Sequence, residues 1–196
     1  MTTFLIADTH FGHKNVIEFE SRPYYDIQDM NAELISAWNA TVAVDDEVII
    51  VGDFSLMSPA RTLDLITQLN GHKILVRGNH DKDKVVNRLL EEGELEVCHD
   101  VGMRLMIGKV HSYVSHYPLQ TGERPNIVNI HGHIHNQPSD QTNQFNVGID
   151  SQLMKDYYDE CNVPYGSPVP LAYIEKKVHL YNDKKSLTYH SDQLNP

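Results

Sequence analysis

Five short stretches of this chain carry side chains that bind divalent cations. They read Asp8-Thr9-His10, Gly52-Asp53, Gly78-Asn79-His80-Asp81, a lone His116, and Gly132-His133-Ile134-His135. Carboxylate, imidazole and amide carbonyl are hard to borderline ligands, suited to Mn²⁺, Fe, Zn²⁺, Ni²⁺ or Mg²⁺. Cysteine is missing from the set, which excludes a structural zinc knot. Asp8 and His10 stand two residues apart, so in an extended segment both side chains would point to one side. The same spacing relates His133 and His135. Asp53 stands alone, and its two carboxylate oxygens allow it to bridge two ions. Gly52, Gly78 and Gly132 precede ligands where the chain must turn sharply. Twelve histidines among 196 residues is a high count, and ligation accounts for several of them.

Four of the five stretches follow a short apolar run, so strands would deliver them to one edge of a sheet. Residues 3 to 7, 47 to 51 and 73 to 77 read as strands that end at Asp8, Gly52 and Gly78. Between them lie helical patterns. Asp26 caps a helix over about 27 to 42, with Met30, Leu34, Ile35, Trp38 and Val42 on one face. Ser58-Pro59 starts a second, with Leu63, Ile66 and Leu69 inward and Gly71 as its stop. A third covers about 84 to 92, stopped by Gly93. Short β-like segments follow at 95 to 98, 103 to 107, 110 to 114, 127 to 130 and 145 to 149. A last helix is expected over about 171 to 181, with a polar tail from Asp183. The pattern is α/β: a βαβ half with parallel strands, then a mostly β half, in a single domain over 1 to 196.

In identity and order, these five elements resemble the calcineurin-like metallophosphoesterase family. Its pattern is D-x-H, then G-D, then G-N-H-D/E, then H, then G-H-x-H. The resemblance spans about residues 3 to 150. Asp8-Thr9-His10-Phe11-Gly12-His13, Arg22-Pro23, Met30-Asn31 and Asn146-Val147-Gly148-Ile149-Asp150 are further similar to a small bacterial and phage branch. The resemblance implies a four-layer α-β-β-α sandwich. It implies two divalent ions, with Mn²⁺ the first choice. Asp8, His10, Asp53 and His135 would hold one ion, and Asp53, Asn79, His116 and His133 the other. A hydroxide held between the ions would attack phosphorus. His80 would sit beside the leaving group as the catalytic histidine, with Asp81 orienting its ring.

His13, Asn15 and Arg22 follow the first motif in a polar segment that could fold over the site. A guanidinium matches two phosphate oxygens, so Arg22 is the expected substrate contact. His72, His99, His111, His179 and His190 lie outside the pattern and read as surface or satisfied histidines. Tyr157, Tyr158 and Tyr165 read as packing over the last helix.

Hydrophobic residues at 40% and charged residues at 22% describe a globular composition. No apolar run approaches the ~20 residues of a membrane span, and no membrane partner is expected. The opening Thr2-Thr3-Phe4-Leu5-Ile6-Ala7 has no basic region and no cleavage site, so a cytoplasmic protein without a secretory leader is expected. Two cysteines in dissimilar surroundings suggest no disulfide framework. The net charge of −11 disfavours long duplex nucleic acid, although two divalent ions add four charges and bring it to −7. The expected function is hydrolysis of a phosphodiester, on a small or nucleotide-type substrate. A phosphomonoesterase using the same site is the first alternative, and a non-catalytic interaction scaffold the second.

Overall fold

Val48, Ile49, Ile50 and Val51 form an unbroken buried apolar run. Such a run belongs to a strand covered on both faces, as in the middle of a parallel sheet. In this computed structural model, which describes residues 1–194 and side-chain surroundings to residue 187, that run, up to Ile50, lies in strand β2. The chain runs β1 (Thr3–Ile6), α1 (Lys14–Phe19), α2 (Ile27–Thr41), β2 (Glu47–Ile50), α3 (Pro59–Ile66), β3 (His72–Val76), α4 (Asp83–Glu91) and β4 (Val97–His99). It continues with β5 (Met103–Ile107), β6 (Val110–Val114), β7 (Ile127–His131), β8 (Gln144–Asn146), α5 (Gln152–Cys161), β9 (Val169–Pro170) and α6 (Leu171–Leu194).

The first sheet has the order β4-β3-β2-β1-β9, parallel except where β9 pairs antiparallel with β1. The second has the order β5-β6-β7-β8, with an antiparallel β5–β6 hairpin followed by parallel pairs. Strand side chains alternate between faces, and that alternation divides the core. Phe4, Ile6, Val48 and Ile50 meet Met30, Leu34, Trp38 and Leu65 of the helices. Leu5, Ala7, Ile49 and Val51 meet Val110, Val114, Val128 and Ile130 of the other sheet. Met154 and Tyr157 of α5, with Ile174 and Val178 of α6, join that second core. The result is the expected α-β-β-α sandwich, with one opening in its cover: Met106 and Tyr113 on the outer side of β5 and β6 are exposed. The sheets join beside the candidate ligands, where the Ala7 N–H donates to the Val147 carbonyl at 2.9 Å and the Ile149 N–H to the Ala7 carbonyl at 3.1 Å.

Local chemistry starts and stops the helices. The Asp26 carboxylate accepts from the N–H groups of Gln28 and Asp29, both at 2.9 Å, and caps α2 as expected. Several boundaries differ from the sequence expectation. The segment holding His13 and Asn15 contains a short helix, α1, that buries only Val16. α3 ends at Ile66, before Gly71. α5 is absent from the sequence expectation, although Met154, Tyr157 and Tyr158 have helical spacing; Ser151 caps it, and Asn162 ends it in a left-handed turn. α6 continues through Leu194, where polarity suggests a tail from Asp183. Tyr157 packs against Tyr173 of α6 with ring centroids 5.1 Å apart, in line with the packing role expected for this tyrosine.

Trp38 is buried and its indole N–H donates to the Asn70 carbonyl at 3.0 Å. Trp38→Ala should therefore lower the unfolding free energy by about 3–5 kcal/mol. Urea titration measures this, and a loss below about 1 kcal/mol would contradict the packing described.

Candidate metal centre

Parallel strands present their carboxyl ends on one edge, which is where open α/β sheets place ligands. Asp8 follows β1, Asp53 follows β2, Asn79 follows β3, His116 follows β6, and His133 and His135 follow β7. Backbone hydrogen bonds hold the loops together: Asp8 N–H to the Gly52 carbonyl, His10 N–H to the Asp53 carbonyl, and Gly132 N–H to the His116 carbonyl, each at 3.0 Å. The paired residues do not converge by extended alternation, as the spacing suggests. Asp8, His10, Asp53, His133 and His135 all have positive φ, between 49° and 73°. That left-handed conformation costs on the order of 1–2 kcal/mol at each residue with a Cβ. Among the other described non-glycine residues only Ser21, Asn126 and Asn162 share it, so backbone strain concentrates at this edge. Gly78 and Gly132 serve close approach rather than turning. A Cβ at Gly78 would lie 2.3 Å from an Asp53 carboxylate oxygen, and one at Gly132 would lie 2.7 Å from an Asp8 carboxylate oxygen.

Two groups of donor atoms result. Asp8, His10 and His135 form one, and Asp53, His116 and His133 the other, each with its ligand atoms within 4.8 Å of one another. Asp53 Oδ2 lies between them, 3.7 Å from His10 Nε2 and 3.4 Å from His116 Nε2. Asn79 Oδ1 is 3.1 Å from His116 Nε2. The tautomers follow from the partners. His116 Nδ1 faces the Val51 carbonyl at 3.0 Å, which only accepts, so Nδ1 carries the proton. Its Nε2 lone pair then points toward the oxygens of Asp53 and Asn79. His135 Nδ1 faces Asp150 Oδ2 at 3.0 Å, and its Nε2 faces His10 Nε2 at 3.3 Å. Converging lone pairs repel one another unless a cation lies among them, so these donors fit divalent ions, and at His116 and His135 the other ring nitrogen is held as metal-binding histidines require.

Charge points the same way. Burial raises the Asp8 carboxyl to about 7, although His135 and His116 pull it back. The Asp8 carboxylate accepts only from the N–H of His133, at 2.9 and 3.1 Å. Asp150 is also buried, but His135 and Arg22 outweigh the effect of burial and hold it down at about 2. Asp150 is thus paired with Arg22, whereas Asp8 forms no such ion pair among the described residues. The cluster of Glu20, His135 and Asp150 also has metal-binding spacing, but its Asp150 carboxylate is already paired with Arg22. Burial lowers His10 to about 3, which keeps it neutral as a ligand must be. Burial alone would lower His116 and His135 too; their carboxylate partners Asp53 and Asp150 raise them instead.

A profile of the calcineurin-like phosphoesterase superfamily domain matches residues 1–149. The chain belongs to this superfamily. An uncharacterized protein of Methanocaldococcus jannaschii, MJ1445, is 39% identical over 90 residues, covering 45% of this chain and 51% of that protein. The Gene 66 protein of Mycobacterium phage L5 is 36% identical over 89 residues, covering 44% and 42%. The chain thus matches about half the length of these curated relatives or less. A protein of unknown function from Aquifex aeolicus, AQ665, shares the fold, with a TM-score of 0.65, 22% identity, and coverage of 89% of this chain and 98% of that one. Membership of the superfamily supports a metal-dependent phosphoesterase.

Against that superfamily pattern, the remaining expected residues divide. The His80 side chain is 45% exposed, with Nε2 4.0 Å from Asp53 Oδ2 and its ring centroid 5.4 Å from that of His10. His13 brings its ring to 5.6 Å from that of His10. Asn15 is exposed on α1. Asp81 does not orient the His80 ring. Its buried carboxylate accepts from the N–H groups of Asp53 and Gly78 at 2.8 Å and of Phe54 at 2.9 Å, clamping the loops after β2 and β3. Arg22 does not face a substrate either. Its guanidinium is buried against Asp150 and the carbonyls of Asp8 and Thr9. Sequence reasoning gave no site role to Asn146 and Asp150, although it placed both in a stretch that resembles the family branch, and it read Tyr165 as packing. Asn146 donates to the His135 carbonyl at 2.9 Å, and the Tyr165 hydroxyl donates to Asp150. The available signal was Asp150 itself, an acid directly after the apolar run 145 to 149. Of the histidines outside the pattern, His72 pairs with Glu96 at the surface, and His190 lies outside the described side chains.

In the unfolded chain Asp8 loses its proton near 3.8, while the metal-free fold holds it to about 7. The stability that this proton contributes is complete below the lower value and is lost as pH rises through the upper one. A divalent ion takes the place of the proton, so Mn²⁺ should raise the melting temperature more at about pH 8 than at about pH 5. Equal shifts at both pH values would contradict a cation-dependent Asp8.

Proposed function

We propose that this chain is a metal-dependent phosphodiesterase acting on a small or nucleotide-type substrate. The observation that carries the reading is the shared Asp53 carboxylate between two donor groups, with an exposed imidazole, His80, beside it. Two divalent ions, Mn²⁺ by preference, would be held by Asp8, His10, Asp53 and His135 and by Asp53, Asn79, His116 and His133. Bound there, they supply positive charge to phosphoryl oxygens and lower the pKa of water.

The protein supplies the rest. Its carboxylates set the charge of the centre and its strained turns fix the ligand directions. His80 reaches solvent, so its ring can give a proton to the departing oxygen. His13, whose ring lies 5.6 Å from that of His10, can donate to a phosphoryl oxygen. When an alkyl phosphoester is hydrolysed an alkoxide departs, a poor leaving group that gains most from such a proton. The formal net charge of −11 favours a short substrate over a duplex. A cytoplasmic setting suits the free Cys98 and Cys161. Among the described residues no helix is long and apolar enough to cross a membrane.

Bis-p-nitrophenyl phosphate should be hydrolysed with Mn²⁺ and not with chelator, and Asp53→Asn should abolish activity in a folded chain. His80→Ala should lower kcat about 10²–10⁴-fold on a diester with an alkoxide leaving group. It should lower kcat less where p-nitrophenolate leaves, with Mn²⁺ binding retained. Equal losses on both substrates would remove the proton-donor role, and no metal-stimulated hydrolysis of any phosphoester would favour an interaction scaffold.

A further inference from the structure

Arg22 and Asp150 form a fully enclosed ion pair, with side chains 0% and 1% exposed. They lie 128 positions apart in the chain, and neither is among the donor groups of the centre described above. Burying such a pair is costly unless every polar atom is used, and here they are. Arg22 Nε donates to Asp150 Oδ1 at 3.0 Å, and Nη2 to Asp150 Oδ2 at 2.8 Å. Nη2 also donates to the Asp8 carbonyl at 2.7 Å, and Nη1 to the Thr9 carbonyl at 2.8 Å, with Met30 Sδ at 3.6 Å. Asp150 additionally accepts from the Tyr165 hydroxyl and from His135 Nδ1, the latter at 3.0 Å.

We propose that Arg22 and Asp150 are positioning residues for one of the two ions, the one held by Asp8, His10 and His135. This rests on the dinuclear reading above. The pair joins the parts of that donor group that come from opposite ends of the chain. Arg22 grips the carbonyls on either side of the Thr9 N–H, at the left-handed turn that aims Asp8 and His10. Asp150 holds the Nδ1 proton of His135 and so turns Nε2 toward His10. The hydrogen bonds of the pair go to Asp8, Thr9, Met30, His135 and Tyr165, and not to Asp53, Asn79, His116 or His133. Those rest on other supports: His116 on the Val51 carbonyl, and the Asp53 loop on the Asp81 carboxylate. The two donor groups touch through the His133 N–H on the Asp8 carboxylate and the His10 N–H on the Asp53 carbonyl, but the ion pair braces only the first group, so damage to it should weaken that ion position first.

The test is Mn²⁺ binding to the full chain by equilibrium dialysis, with the melting temperature of the metal-free protein measured alongside. The unmodified chain should bind two ions. Asp150→Asn keeps the shape but puts an amide where two donors need a carboxylate. It should weaken one ion about 10–100-fold and leave the other within about threefold, and Asp150→Glu should restore part of the loss. Should Asp150→Asn not fold, Arg22→Lys reads the same quantity, because the ammonium keeps the charge and loses the planar fork. Two ions bound as tightly as in the unmodified chain, or both lost together with a fall in melting temperature, would overturn the proposal. An unmodified chain that binds no Mn²⁺ would overturn the dinuclear reading itself, and this inference with it.

Discussion

Among the described residues the buried carboxylate of Asp8 forms no ion pair with a cationic side chain. It follows the first strand, is shielded from water, and accepts only backbone hydrogen bonds from His133. A charge in that position is costly, and the fold reduces the cost by protonation or by a metal. The imidazoles and oxygens around it tell the same story. His10, His135, His116, Asp53 and Asn79 aim acceptor atoms at one another over distances of 3.1 to 3.7 Å. Such an arrangement is stable when positive charge enters it.

The rest of the molecule maintains that convergence. Parallel strands bring distant stretches of sequence to one edge, and two hydrogen bonds from Ala7 to the segment after β8 lock the sheets together there. Left-handed turns at five candidate ligands aim the side chains inward, and the two packed cores supply the stability that offsets their strain. Gly78 and Gly132 let carboxylates approach the backbone more closely than any Cβ would permit. Asp81 and Asp150, which face the centre from behind, fix the loops and the ring of His135.

Much of this is legible in the amino-acid sequence, for a definite reason. Ligand chemistry restricts residue type, and a strand end restricts position, so Asp8, His10, Asp53, Asn79, His116, His133 and His135 stand out together. Strands β1 to β8 and helices α2 to α4 follow from apolar periodicity and caps. What sequence does not encode locally is direction. Arg22 and Asp81 have the chemistry of a phosphate clamp and a histidine partner. Their directions are set by neighbours far along the chain, Asp150 for Arg22 and the Asp53 loop for Asp81. The spacing of Asp8 and His10 suggests an extended pair, because positive φ at an aspartate or histidine leaves no mark in composition. α5 is hidden because its apolar cluster is short and lies between an acid and a proline.

In the proposed centre two divalent ions would share Asp53. Anomalous diffraction from a crystal grown with Mn²⁺ tests this most directly. Two peaks are expected, one among Asp8, His10 and His135 and one among Asn79, His116 and His133, with Asp53 between them. A single peak, no peak, or a peak between Glu20 and Asp150 would contradict the account.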